Sequence, residues 1–181
     1  MNKRLSFRVS LGGIVAAMSL VCMFFTGVIP VFAYTLPALA GVFLIVIVIE
    51  ISKKWAFATY AAVGILSIFL TPDKEAPALF IMFLGYYPII KSFFERIKIR
   101  IFEWVLKLAS FNLAIFITYT IIIRLFGIYK LIEEFNDFGK YSLLIFVLLA
   151  NVAFVLYDIA LTGLISTYIR SFQPKIHKIF R

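Results

Sequence analysis

Apolar residues occur along this chain in six long runs, separated by short polar or charged segments. A helix that spans a membrane needs about 20 largely apolar residues, within a range of about 17–25. In lipid its backbone groups must be hydrogen-bonded within the segment, so runs of this length predict helices. The predicted spans are residues 9–29, 34–51, 55–70, 77–94, 104–126 and 141–168.

Composition supports lipid as the solvent. The chain has 181 residues, of which 64% are hydrophobic and 15% charged. A soluble domain is about 45–50% apolar and about 25% charged, because its surface needs polar groups. The length suits one compact unit. We therefore predict an all-α fold: residues 1–181 form one integral membrane domain, a polytopic bundle of six transmembrane helices.

Charge predicts the orientation of these helices. The formal net charge is +9, but the cations lie at the ends of the apolar runs, which argues against nucleic acid as a partner. Fourteen of the 18 Lys and Arg residues fall in the two termini and the loops on the same side as them. The other side carries four cations and five acids. By the positive-inside rule, both termini are predicted to be cytoplasmic.

Residues for catalysis are sparse. The single histidine, His177, lies in a basic tail, and the single cysteine, Cys22, lies inside the first apolar run. Neither a metal-ligand cluster, a Ser-His pairing nor a phosphate-binding loop is present in the sequence. The run Val9–Ile29 is longer than the apolar core of a signal peptide, which is about 7–15 residues. We predict a non-enzyme without catalytic residues, metal or cofactor.

Polar residues inside the predicted spans are candidate functional groups, because a charge at membrane depth is costly. Lys107 and Asn112 lie in the fifth span and Asp158 in the sixth, at neighbouring depths in the inner half. Asp158 is expected to face the interior, hydrogen-bonded to Asn112 or reached by the stem of Lys107. Two roles stay open for it: a clamp between helices, or a group that responds to a partner.

A second set of candidates lies in the predicted outer half. Aromatic faces supply contact area to a small solute, and a few polar groups orient it. We predict a cavity between helices 4, 5 and 6, covered by the connection between helices 1 and 2. That connection either folds into the mouth of the bundle or forms an ordinary turn. The candidate substrate-binding residues are Tyr34, Tyr86, Tyr119, Arg124 and Asn151.

Two further segments carry alternatives. Pro88, in the fourth span, frees a backbone carbonyl one turn earlier, which kinks a helix or lines a cavity. Cations and apolar residues alternate over Ile97–Leu108. This pattern is typical of an amphipathic helix on the membrane surface, or of a charged extension of the fifth span whose side chains reach the headgroups.

The first span carries small residues four apart. Gly12 with Ala16, and Gly13 with Ala17, form a groove that lets another helix approach closely. The groove serves either packing inside the bundle or docking to a partner membrane protein.

With six short helices, this small-residue motif and the proline-rich segment Ile29–Pro37, the chain resembles the substrate-binding S components of energy-coupling factor transporters. In that family the first helix docks to a membrane coupling subunit through two alanines four apart. Here Gly13 and Ala17, or Gly12 and Ala16, correspond, with glycine in the first place. The resemblance implies uptake of a small, vitamin-like solute across a bacterial plasma membrane, with the ATPases on separate chains.

The alternative is a membrane scaffold that transports no solute. Membrane proteins of the MreD cell-shape type are similar in size and helix number. A co-purified small molecule distinguishes the two interpretations, because only the transport subunit holds one.

Overall fold

The computed structural model describes residues 3–126 and 142–174. This part of the chain is almost entirely helical and contains no strand, which confirms the predicted all-α class. The chain divides into two compact units, Met1–Ile122 and Ile123–Arg181. The first unit holds most of the helices and the apolar core.

Three helices form the centre of the first unit: α1 (Lys3–Phe25), α2 (Thr35–Glu50) and α3 (Lys53–Leu70). Helix α2 is apolar on every side, as a helix surrounded by other helices and lipid requires. Pro37 lies in its first turn, where a missing N–H costs little. Fully buried side chains of this core include Met23, Leu44, Ile47, Val63 and Phe80.

A tight polar turn connects α3 to the next helix, α4 (Glu75–Leu79). The Asp73 carboxylate accepts hydrogen bonds from the backbone N–H groups of Glu75 at 3.0 Å and Ala76 at 3.3 Å. The Lys74 ammonium donates to the Thr71 carbonyl at 3.0 Å. Because the free donors of α4 and a free acceptor of α3 are both satisfied, the chain reverses direction within a few residues.

The fourth apolar run is not one regular helix. After α4 the chain is π-helical over Phe80–Leu84, with the Gly85 N–H donating to the Phe80 carbonyl at 2.8 Å, and then continues as α5 (Tyr87–Phe94). Pro88 has no N–H to offer the Leu84 carbonyl one turn earlier. The predicted disturbance at Pro88 is therefore present, as a widened turn rather than a break in the span.

Helix α2 approaches this widened turn closely. A Cβ atom on Gly41 would lie 2.0 Å from the Leu84 carbonyl oxygen, so only glycine fits there. The Leu84 carbonyl, which receives no helical hydrogen bond from Pro88, thus lies directly against the backbone of Gly41. The close approach holds α2 against the fourth apolar run.

Two long helices complete the described chain: α6 (Arg100–Phe126) and α7 (Ser142–Thr167), which is followed by a π-helical turn, Tyr168–Phe172. In the described part, five helical segments are long and apolar enough to cross a membrane. They are Leu5–Phe25, Lys53–Leu70, Glu75–Phe94, Arg100–Ile122 and Leu144–Phe172, and the shorter apolar helix Thr35–Glu50 falls on the remaining predicted span.

Several helix ends differ from the predicted boundaries, among them the start of α1 at Lys3 rather than Val9, and two further differences are informative. Helix α1 ends at Phe25, before the predicted Ile29, because the chain turns at Gly27, where a Cβ would meet Pro72 at 2.8 Å. Helix α6 begins at Arg100 and continues without a break through the fifth span. This continuity favours the charged extension over a separate surface helix across Ile97–Leu108.

Candidate functional site

Three side chains from distant parts of the sequence meet at the predicted outer end of the first unit. The Tyr34 hydroxyl donates to Oε1 of Glu75 at 3.1 Å, and the Tyr119 hydroxyl donates to the same oxygen at 3.0 Å. We call Tyr34, Glu75 and Tyr119 the tyrosine–glutamate site. Two phenols that converge on one carboxylate make a compact polar group at the end of an apolar bundle.

Each residue is positioned by the end of a helix. Tyr34 directly precedes α2, after a short 3₁₀ turn over Pro30–Phe32. Glu75 is the first residue of α4, where a negative charge is favourable because it faces the positive end of the helix dipole. Tyr119 projects from α6, within one turn of the end of the span at Ile122. The site thus links the first outer connection to two helices.

The phenol of Tyr34 is protonated under ordinary conditions. Partial burial, and then the negative charge of Glu75, raise the pKa of Tyr34 from 10.0 to about 12. A protonated phenol donates a hydrogen bond to the carboxylate, whereas a phenolate would repel it. The site therefore combines a carboxylate, two hydroxyls and two aromatic rings, which together suit a ligand with a donor or cationic group and a flat apolar part.

Tyr86, a third predicted residue, lies in a different cluster. Its ring packs edge-on against Tyr60 at 6.3 Å and Phe83 at 6.0 Å between centroids. At about 1.5 Å per helical residue, it lies roughly 15 Å along the chain from Glu75. Tyr86 therefore belongs to the aromatic packing around the π-helical turn, whereas Tyr34 and Tyr119 belong to the tyrosine–glutamate site.

The remaining two predicted substrate-binding residues belong to the second unit. Arg124 is exposed near the end of α6. Asn151 is half-buried on α7, and its amide donates to the Val147 carbonyl at 2.7 Å. Their participation in a common cavity with Tyr34 and Tyr119 stays a prediction.

The small residues of α1 divide between two faces. A Cβ on Gly12 would lie 3.6 Å from Thr59 of α3, and Ala16 packs against the buried core. Apart from its chain neighbours and the backbone of its own helix, no heavy atom lies within 4 Å of the Cβ position of Gly13, and Ala17 is exposed. The pair Gly12 and Ala16 therefore serves packing inside the unit, while Gly13 and Ala17 present an open surface.

The polar residues predicted at depth are largely buried. The Lys107 ammonium forms an ion pair with Glu103 at 2.8 Å, and Asn112 donates to the Leu108 carbonyl at 2.8 Å. Both partners lie one turn earlier on α6, so local contacts offset part of the cost of burial. Pairing of either residue with Asp158 stays a prediction.

Asp158 lies on the buried face of α7, as its cost in lipid requires. It is 3% exposed and shares that face with the buried residues Phe154 and Leu161 and with half-buried Asn151. These four residues recur three or four positions apart, which is the spacing of one helical face. Asn151 and Asp158 therefore lie on one face of α7, and both roles considered for Asp158 stay open.

Two residues of interest were missed from the sequence. By charge alone Glu75 is one of the five outer acids, although its place between a capping aspartate and an apolar run is a signal for a helix start. Lys91 is 1% exposed and forms an ion pair with Glu95 at 2.9 Å.

Across residues 3–126 and 142–174, no three His, Cys, Asp or Glu side chains are grouped as a metal site requires.

Comparison of the chain with protein-family models, curated proteins and solved structures finds no match. The structure establishes the class of protein at the level of the fold: an all-α chain with several helices suited to a membrane.

Proposed function

We propose that this protein is the substrate-binding membrane subunit for uptake of a small, vitamin-like solute, working with separate coupling and ATPase subunits in a bacterial plasma membrane. The tyrosine–glutamate site carries the proposal. It lies at the predicted outer end, where a solute arrives, and is built from three separate elements. An apolar bundle that only needed to fold would gain little from gathering a carboxylate and two phenols there.

The open face of α1 supports the same proposal. Gly13 and Ala17 present a smooth surface on a helix whose other small residues, Gly12 and Ala16, already pack inside the unit. In lipid, association of helices depends on close packing rather than on hydrophobic burial, and small residues four apart permit it. A coupling subunit that must bind in the membrane fits this surface.

The chemistry of the site indicates the kind of solute. A carboxylate accepts hydrogen bonds from a cationic or amine group, and the rings of Tyr34 and Tyr119 offer flat apolar faces. We expect a small solute with an aromatic or heterocyclic part and at least one donor group.

Mass spectrometry of the purified full-length protein tests this function. We expect a small molecule to co-purify with the wild type and to be lost from Glu75→Gln, which removes the charge but keeps the shape. Tyr119→Phe should lower its occupancy by about 5–10-fold, because a hydrogen bond to a charged group contributes about 1.5–3 kcal/mol and part of it is retained through Tyr34.

Tyr60→Phe is the matched control for this experiment. Like Tyr119→Phe, this variant removes one phenol hydroxyl from the first unit. The Tyr60 hydroxyl donates to the Ile81 carbonyl at 2.5 Å, so its removal leaves the tyrosine–glutamate site intact. Occupancy should be unchanged in this variant. A wild-type protein that carries no small molecule, even when purified from cells grown in rich medium, would contradict the proposal and favour the scaffold.

A further inference from the structure

Two cations converge on one aromatic ring at the opposite end of the first unit. The Lys53 ammonium lies 3.9 Å from the centroid of the Phe93 ring, and the Arg96 guanidinium carbon lies 5.7 Å from it. The Lys53 ammonium also donates a hydrogen bond to the Ser92 hydroxyl. We call Lys53, Ser92, Phe93 and Arg96 the basic end.

Lys53 and Arg96 carry like charges, and their electrostatic repulsion is unfavourable unless other groups offset it. The ring of Phe93 offsets part of this cost through its electron-rich face. The nearby Glu95 carboxylate is engaged by the buried Lys91 at 2.9 Å. Around the junctions that precede α3 and follow α5, the sequence places six cations against two acids. The cations are Lys53, Lys54, Lys91, Arg96, Lys98 and Arg100, and the acids are Glu50 and Glu95.

The surroundings of the basic end are those of a membrane interface. Lys53 is the first residue of a helix long enough to span, and Phe93 lies one residue before the end of another. Phe93 is 54% exposed; Ile99, in the connection that follows α5, and Ile101, in the first turn of α6, are 66% and 78% exposed. A ligand here meets cations at the level of the headgroups and apolar side chains at the level of the acyl chains.

We propose that the basic end binds the phosphate of an anionic phospholipid. Arg96 is exposed and presents its guanidinium fork, and Lys53 adds a second positive charge beside the Ser92 hydroxyl. The start of α3 adds the positive end of its helix dipole. The lipid is favoured over a soluble phosphate because exposed Phe93, Ile99 and Ile101 offer contact to acyl chains that a free ion cannot use.

Native mass spectrometry of the full-length protein in detergent tests the proposal. Phosphatidylglycerol and phosphatidylcholine with the same acyl chains are titrated separately. We expect tighter binding of phosphatidylglycerol in the wild type. Because a basic residue near an anionic membrane surface contributes about fivefold in affinity, Arg96→Gln should weaken this preference about fivefold. Lys53→Gln together with Arg96→Gln should nearly abolish it.

The matched control removes the same charge elsewhere. Arg170 is exposed and belongs to the second unit, so Arg170→Gln lowers the net charge by the same amount as Arg96→Gln and retains all four residues of the basic end. The preference for phosphatidylglycerol should survive in this control. An equal loss in the control would overturn the site in favour of a general charge effect.

Competition with soluble inorganic phosphate and glycerol phosphate identifies the source of the phosphate group. Neither should displace phosphatidylglycerol at concentrations far above that of the lipid. Displacement by either would overturn the assignment to lipid. Arg96→Gln by itself keeps the test decisive if the double variant does not fold, because Arg96 is exposed.

Discussion

Single residues decide how closely the helices of the first unit approach one another. At Gly41 the absence of a side chain admits the Leu84 carbonyl, whose usual helical donor is missing at Pro88. Gly41 and Pro88 are both visible in the sequence, but neither residue predicts that Gly41 contacts Leu84. Forty-three positions separate Gly41 from Leu84, and their proximity depends on the packing of whole helices.

Gly41→Ala is therefore expected to destabilise the protein. The new Cβ would lie 2.0 Å from a backbone oxygen, so the helices must move apart. Overpacking of this kind costs about 1–3 kcal/mol. Gly13→Ala is the matched control, because no other helix has an atom within 4 Å of its Cβ position. Thermal unfolding in detergent should show a lower midpoint for the first variant only, and equal midpoints would contradict the close approach.

The phenol of Tyr34 gives a prediction about pH. Its pKa is raised from 10.0 in the unfolded chain to about 12 in the folded protein, so the folded state holds this proton more tightly. The resulting stabilisation is fully present below pH 10 and is lost as the pH rises towards 12. Stability should fall less steeply with pH over this window in Tyr34→Phe than in the wild type.

Tyrosinate absorbance measures the same group directly. The difference between the titrations of wild type and Tyr34→Phe should have its midpoint near pH 12, because burial and Glu75 both disfavour the phenolate. A midpoint near the ordinary value of 10 would show that the Tyr34 phenol is not held by Glu75 in the folded protein.

The candidate site was only partly predictable from the sequence. Tyr34 and Tyr119 were chosen because they are aromatic residues at the outer ends of predicted spans. Glu75 was not chosen, since it is separated from them by 41 and 44 positions and forms no motif with either. Hydrophobic runs predict the depth of a residue in the membrane, but they do not predict which helices are neighbours.

At the scale of elements, α1 shows how a sequence motif divides in three dimensions. Residues four apart lie on the same side of a helix, whereas neighbouring residues do not. Gly12 and Ala16 therefore share one side of α1, and Gly13 and Ala17 share another. One side faces α3, at Thr59, and the other is open. The sequence allows packing or docking for all four residues, and the structure assigns packing to Gly12 and Ala16.

Leucine substitutions on α1 separate these two sides. Ala16→Leu should destabilise the isolated protein by about 1–3 kcal/mol, because Ala16 packs against the core. Ala17→Leu should leave the isolated protein stable, because Ala17 is exposed, but should prevent capture of the proposed coupling subunit. Thermal unfolding and affinity capture from solubilised membranes measure the two effects. Unchanged capture by Ala17→Leu would contradict docking through this side.

The fourth apolar run shows what a residue pattern predicts within one element. A proline inside a span predicts a disturbance one turn earlier, and the π-helical turn at Phe80–Leu84 lies there. The form of the disturbance was not predictable, because a kink, a break and a widened turn all relieve the missing hydrogen bond. Packing of Gly85 against the rings of Tyr60 and Phe80 accompanies the form observed.

At the scale of the whole molecule, the number and order of the apolar segments were predicted well. Length and hydropathy are properties of contiguous sequence, and the bilayer imposes one thickness on all of them. The six predicted spans correspond to five helical segments of spanning length and one shorter apolar helix among the described residues. The orientation of the helices depends on a different property, which is the distribution of charge along the chain.

The two ends of the first unit should lie on opposite sides of the membrane. The end with Lys98 carries the excess of cations and is predicted to be cytoplasmic, while the turn at Val31 and the acids of residues 73–75 lie at the other end. After Cys22→Ala removes the native thiol, Val31→Cys should react with a membrane-impermeant maleimide in intact cells, since Val31 is 86% exposed. Lys98→Cys should react only after the cells are opened. Labelling of Lys98→Cys from outside would reverse the orientation, and with it the outer position of the tyrosine–glutamate site.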